Sequence, residues 1–355
     1  MSLGQRFAIA AACLIIAATA GVVAWRGLTP PDTWVELRPV SLPLPSPPRT
    51  NAPGEDGRTL LLIVIENTPE ARPQSGLADA CLVYAMPTEA RITRFMAAYC
   101  DAAPTVIGPV RSVRRYMLDI ATDLGAVLVH AGSSAEALVQ IRRRGIPVIN
   151  EFWTSGPFWR DAARQMPHNL YTSMDRLRAA LEKQPVAARP HGVPYAFAAP
   201  GPPASGEPDG SLAMTATLDY GAPYSVRYQY DVARRRYARE QDGRPHVDAN
   251  GRSISPVSVL VVFVQWSEVW ERGEPSSRIN LTSGGRVAIL TGGRLHEGTW
   301  IRSAQGPMSL QRADGGLVVL PRGPVWIEMF PVDRPFSTQV ESPGPTPSPT
   351  APGRR

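Results

Sequence analysis

The side chains in this sequence best suited to chemistry are cations and histidines held in short polar segments between apolar runs. In "GPVRSVRR", residues 108–115, Arg111 falls at or near an expected helix start, where unpaired backbone N–H groups and the helix dipole favour a negative ligand. Arg114 and Arg115 follow about one turn on. The alternative is that these arginines pair with carboxylates of the same domain or lie in water. In "VLVHAGSS" His130 ends an apolar strand just before a helix, the sheet edge at which open α/β folds bind ligands. Ala131 and Gly132 are small enough for backbone to approach a ligand, and Ser133, in capping-box spacing with Glu136, either caps the helix or contacts that ligand. A lone histidine is as readily a hydrogen-bonded structural residue.

A third segment, "FWRDAARQMPHNLYTS", residues 158–173, mixes an Arg–Asp pair, a His–Asn pair and hydroxyls with aromatic rings. Pro167 disfavours helical geometry at Met166, so the chain should leave a helix there and form a polar turn. Asn169 and His168 can hold that turn by hydrogen bonds to backbone, with Ser173 capping the next helix. Arg160, Asp161 and His168 remain available to a ligand.

Familiar catalytic signatures are missing. There is no G-x-S-x-G elbow and no phosphate-binding Walker loop, and because Lys183 is the sole lysine there is no S-x-x-K. His296 and Glu297 lack the second histidine of H-E-x-x-H, and "DANGRSISP" lacks the closing glutamate of a calcium loop. No metal or cofactor is expected, and no catalytic residue is assigned. A covalent mechanism would have to join Ser133 or Ser134 to a distant histidine. The formal charge of +6 comes from scattered arginines, so nucleic acid is not an expected partner.

The elements that must position these residues read as α+β overall: an N-terminal α/β domain followed by a mainly antiparallel β domain. "TLLLIVIEN" is a buried strand, and "CLVYAMPTEARITRFMAAYC" an apolar hairpin turning near residues 86–90. "VRSVRRYMLDIATDL" and "SMDRLRAALEK" have helical spacing, and Gly145 stops a helix that follows "HAGSS". With the hairpin centred between Ala90 and Arg91, Cys81 and Cys100 stand opposite one another. They can form a disulfide or remain two small buried thiols. The divisions are residues 1–26, anchor or signal; 27–57, a Pro-rich stalk; 58–183, the α/β domain; 184–210, a linker; 211–334, the β domain; and 335–355, a disordered Pro-rich tail.

Phe7 to Trp25 is uncharged, apolar and flanked by Arg6 and Arg26. As a helix it would span about 28 Å, close to the hydrocarbon thickness of a bilayer. The chain is therefore expected in the cytoplasmic membrane as a single-pass protein with its folded domains outside. A cleaved signal with "ATA" at 18–20 is the alternative, and a lipid anchor at Cys13 fits less well.

Five motifs in order, "PQSGLADACLVYAMPTEARITRF", "GPVRSVRRYMLDIATDLGAVLVHAGSS", "FWRDAARQMPHNLYTS", "YDVARRRYAREQDGRPHVD" and "GLVVLPRGPVWIEMFP", resemble the YerB-like family of bacterial envelope lipoproteins, a two-domain family of unknown function. The resemblance covers about residues 59–332. It implies an anchored extracytoplasmic protein, and it lands family motifs on Glu89, Thr93, Arg94, Arg111, Ser112, His130, Gly132, Ser133, Arg160, Asp161, His168 and Asn169. Ala90 and Arg91 stand where the family usually has a Gly pair, and no convincing lipobox is present, so a transmembrane helix is expected to replace the lipid.

The resemblance implies that Arg94, Arg111, His130, Arg160 and His168 converge on a cleft suited to an anionic or carboxylate-bearing ligand. Trp153, Phe158, Trp159 and Tyr171 either add flat surfaces for sugar rings or, as expected for most of them, pack in the core. The expected function is binding of an anionic cell-wall component or envelope partner. The alternative is a cell-wall hydrolase or transferase with His130 or His168 as base, Glu89 or Asp161 as orienting group or acid, and Arg111 stabilising negative charge.

Overall fold

The computed structural model describes residues 58–154, 156–183, 185, 193–198, 210–271, 273–282, 284–302 and 307–340. The apolar run at 7–25, the whole stalk, much of the linker and the tail beyond 340 lie outside them. No helix among the described residues is long and apolar enough to cross a membrane.

The first half contributes strands β1 (Leu61–Ile65), β2 (Leu82–Pro87), β3 (Thr93–Ala98), β4 (Val127–His130) and β5 (Val148–Asn150) to a large sheet. A separate two-stranded hairpin pairs β6 (Phe158–Arg160) with β7 (Leu170–Thr172). Helices α1 (Met117–Asp123), α2 (Ala135–Arg144) and α3 (Met174–Lys183) are short. The second half adds β8 (Thr215–Gly221), β9 (Tyr224–Asp231), β10 (Arg236–Gln241), β11 (Ser258–Glu271), β12 (Glu274–Asn280), β13 (Gly285–Thr291), β14 (Arg294–Arg302), β15 (Met308–Arg312), β16 (Val325–Pro331) and β17 (Phe336–Gln339).

One sheet runs through both halves in the order β15, β14, β13, β11, β16, β2, β3, β1, β4, β5. The joint is parallel: β16 pairs with β2 on one side and β11 on the other. Strand β1, "LLIVI", is buried along its whole length because both faces of the sheet are covered, which is why it reads as a continuous apolar run. Its alternate residues feed two cores. Leu62 and Val64 join α1 and α2 on one face, and Leu61, Ile63 and Ile65 join α3 and a second sheet, β10-β9-β8-β17, on the other. In β9 buried and half-buried residues alternate, as expected for a strand with one covered face.

The molecule is mainly β, with less helix than the expected α/β domain. The largest departure is "GPVRSVRR". It is extended rather than helical, because its backbone is taken up by the sheet: Arg111 N–H donates to Val64 O, and Ala131 N–H donates to Arg111 O. Residues 107–113 thus wedge between β1 and β4 where those parallel strands splay, and α1 starts only at Met117. Cross-strand hydrogen bonding has overridden local helical spacing. The stretch before Pro167 is likewise β6 and a polar loop instead of a helix.

The hairpin register is Leu82 opposite Ala98 through Pro87 opposite Thr93, centred on Ala90 and half a residue from the expected centre. Cys81 and Cys100, just outside the paired segment, are joined by a disulfide with Cα atoms 5.9 Å apart. At the hairpin tip Ala90 and Arg91 both have positive φ, 55° and 59°, the left-handed conformation for which a Gly pair would be the unstrained choice.

Candidate functional site

The site lies at the carboxyl ends of β1 and β4, around the wedge. Alternation along β1 places Glu66, the residue after the strand, on the same face as Leu62 and Val64. The same rule puts Arg94 with Met96 and Ala98, and His130 with Leu128. Glu66 is 1 % exposed and serves three partners: Arg111 Nε at 3.0 Å and the Thr68 hydroxyl, donating at 3.3 Å, at one carboxylate oxygen, and His168 Nδ1–H donating to the other at 3.0 Å. Two of the segments expected to converge therefore do meet, through Arg111 and His168, but they meet on an acid that motif reading missed. Its signal was present: a glutamate directly after five apolar residues, at the strand end where ligands bind.

Arg94 reaches the wedge from β3, its Nη1 donating to Ser112 O at 3.0 Å. It has no carboxylate partner among the described residues. Burial lowers its pKa to about 10, helped by the neighbouring Arg114 and Arg111 charges and opposed by Glu89. Glu89 itself is held by Arg114 through a bidentate pair at 2.7 and 2.8 Å. Burial raises the Glu89 pKa, but the Arg114 pair and the Arg94 charge leave it lowered overall. Counting these groups, Arg111 is offset by Glu66 and Arg114 by Glu89, and Arg94 is the surplus positive charge.

His130 is fully buried and does not open onto this cluster of charges. Its Nδ1–H donates to Gly132 O at 2.7 Å, which fixes the tautomer, and its Nε2 has no hydrogen-bond partner among the described residues. Burial pushes its pKa down to about 4 against the upward pull of the Gly132 carbonyl. It is a neutral turn-holding residue. Gly132, at φ 74°, must be glycine: a side chain there would meet Ser112 Oγ at 3.1 Å and the Phe152 ring at 3.4 Å.

The cap of α2 is Ser134, accepting from Ala137 N–H at 3.3 Å, and not Ser133. Ser133 bridges to Val113 of the wedge, so the helix begins one residue later than the capping-box spacing suggests. Arg160 is engaged by Glu151 at 2.9 Å and by the Asn169 side-chain oxygen at 3.1 Å. The Asn169 amide donates to Asp161 O and Arg164 O, and Asp161 accepts from Ala163 N–H, so this loop closes on itself. Ser173 caps α3 through Arg176 N–H at 3.3 Å. The expected uniformly basic cleft is instead a nearly charge-balanced edge with one unpaired arginine.

Behind the site, a buried network connects it to the second half. Gln74 donates to Glu66 O and to Asn67 Oδ1, and accepts from His246 Nε2–H at 3.1 Å. His246 Nδ1 accepts from Arg239, which also contacts Gln241, Tyr228 and Glu328. Tyr228 and Tyr220 donate to the two Glu328 oxygens at 2.6 and 2.7 Å. Arg239 and Glu328 are both 0 % exposed. The guanidinium of Arg239 lies 4.8 Å from the Trp326 ring centre and 5.5 Å from that of Phe95. Burial, then Arg239 and Arg72, hold His246 neutral with a pKa well below the usual range.

A small surface pocket of about 30 Å³ lies elsewhere, at the amino end of β1, lined by residues including Arg58, Tyr99, Met174 and Arg178. Among the described residues no group of three or more His, Cys, Asp or Glu could hold a metal ion.

Residues 48–187 match the N-terminal domain, and 216–327 the C-terminal domain, of the DUF3048 family of proteins of unknown function. The YerB protein of Bacillus subtilis (strain 168) is 29% identical over 279 residues, covering 77% of this chain and 82% of that one. A crystal structure of Bacillus subtilis YerB superimposes with a TM-score of 0.69 at 28% identity, over 79% of this chain and 94% of that chain.

Proposed function

This chain belongs to the YerB-like family, and from that premise we propose that it is an envelope-anchored extracytoplasmic protein that binds an anionic group at Arg94. The YerB relative bears a name that describes it as a candidate lipoprotein, and the apolar run at 7–25 supplies a segment able to hold this chain at a membrane. The observation that carries the binding reading is the charge left over. A partly buried guanidinium beside two further arginines, with a single backbone carbonyl as its acceptor among the described residues, is stabilised by an incoming anion in a way that Arg111 and Arg114, already neutralised, are not.

The ligand is an anionic cell-wall component or the acidic surface of an envelope partner. Titration of the full chain with inorganic phosphate and with anionic cell-wall fragments tests this. Affinity should fall about tenfold or more in Arg94→Gln and weaken with added salt, since a charge-assisted hydrogen bond contributes roughly 1.5–3 kcal/mol. Absence of binding to either probe, or equal binding by the variant, rejects it.

A second reading rests on the His168–Glu66 pair. Nδ1–H held by a carboxylate at 3.0 Å is the orientation a general base requires, and it favours His168 over His130 as the base of a cell-wall hydrolase or transferase. Release of soluble fragments from peptidoglycan, abolished in His168→Ala and retained in His130→Asn, would replace binding with catalysis.

A further inference from the structure

Phe152 lies beside this site in an arrangement that costs the folded protein something. It is 72% exposed, and a phenylalanine left in water forgoes the burial that large apolar side chains normally gain. Nor is it a loosely hung loop residue. The buried Asn150 side-chain oxygen accepts from both Phe152 N–H, at 3.2 Å, and Gly132 N–H, at 3.4 Å, and Asn150 O accepts from Trp153 N–H. One amide therefore ties the aromatic residue to the turn that packs on the wedge.

The contacts are continuous. Arg94 bonds to Ser112, and Ser112 Oγ and the Phe152 ring edge both abut the position a Gly132 side chain would take. Trp153, next in sequence, already has the Arg142 guanidinium 5.9 Å from its ring centre, whereas Phe152 has no ring or cation partner among the described residues. An uncompensated cation and an open aromatic surface thus occupy neighbouring positions on one short stretch of the sheet edge.

We propose that Phe152 is a stacking platform and that the ligand is an anionic sugar, with its carboxylate or phosphate on Arg94 and the C–H face of its ring on Phe152. This rests on Arg94 being an anion site, and it adds the saccharide as the class of molecule bound. Sugar rings present apolar C–H faces that match an aromatic surface, and the negative substituent supplies the charge complement.

The full chain would be titrated calorimetrically with inorganic phosphate, glucose 1-phosphate, a galacturonate trisaccharide and the neutral N-acetylglucosamine trimer. One or both charged sugars should bind at least tenfold more tightly than phosphate and than the neutral trimer, and which of the two does so distinguishes phosphate from carboxylate as the anionic group. Phe152→Ala should remove that gain and leave phosphate affinity within twofold, and Phe152→Tyr should restore it. Because Phe152 is exposed, an unchanged melting temperature will confirm that the variants fold. Phosphate binding lost in Arg94→Gln, with charged sugars indifferent to Phe152→Ala, overturns the platform alone. Failure of phosphate and both charged sugars to bind overturns the platform and the anion site together.

Discussion

Two arginines define the contrast within this molecule. Arg239 lies between the two sheets, and each of its neighbours is used: a carboxylate, a phenol, an amide, an imidazole and aromatic rings. Arg94 lies at the sheet edge with one backbone acceptor, and the two like charges nearby outweigh the opposing charge of Glu89. Both are desolvated, but only Arg239 is compensated, and the direction of its shift says so: burial lowers its pKa, and Tyr228 and Glu328 more than reverse this. A satisfied buried network specifies and rigidifies a fold, whereas a desolvated charge without a partner is tolerated where something else will neutralise it.

The largest effect should come from breaking the compensated arginine. Arg239→Met leaves Glu328 buried without its cation and should cost about 3–5 kcal/mol in chemical denaturation. A loss below about 1 kcal/mol would mean that the two tyrosines alone satisfy Glu328, and the contrast would lose its stabilising half.

Next comes His130, the buried residue of the site half. Its folded pKa of about 4 lies below the unfolded 6.5, so the unfolded chain binds more protons between those values and stability falls with acidification. The contribution is present in full above pH 6.5 and lost as pH falls through 4, amounting to about 3 kcal/mol. His130→Asn should flatten that part of the melting profile. Asp123 acts oppositely: burial raises its carboxyl to about 6 despite the Arg302 partner, so its contribution improves as pH drops from 6 toward 4. Subtracting the variant profile from the parent's isolates the histidine.

A smaller effect is expected at the hairpin tip. Ala90→Gly should stabilise by about 1 kcal/mol or less, because relief of left-handed strain exceeds the added freedom of the unfolded chain. Destabilisation would show that the Ala90 methyl is needed where Ala90 N–H donates to Glu268 at 2.6 Å. The smallest is Arg94→Gln, which should leave the melting temperature unchanged or higher while anion binding is lost. A substantial drop would place Arg94 with Arg239 as a structural residue and erase the distinction.

Legibility differed by kind of interaction. The apolar run of β1, the hairpin with its two cysteines and the stop at Gly145 were readable because each depends on neighbours close in sequence. The wedge departs from expectation for the same reason: "VRSVRR" has helical spacing, but backbone groups within it are claimed by β1 and by the chain at the end of β4. Arg160, open to a ligand on sequence grounds, is bound to Glu151 and Asn169, a pairing that spacing cannot express.

The order of motifs and the pattern of apolar runs were sufficient to establish family membership and to locate most of the strands, since both are properties of the linear chain. Tertiary structure alone decided which charges are cancelled: Glu66 finds His168 across 102 residues, and Gln74 finds His246 across 172. Electrostatic compensation depends on distance in space and on loss of water, and neither is encoded in residue spacing, so Arg94 could be recognised as the uncancelled charge only after the chain had folded around it.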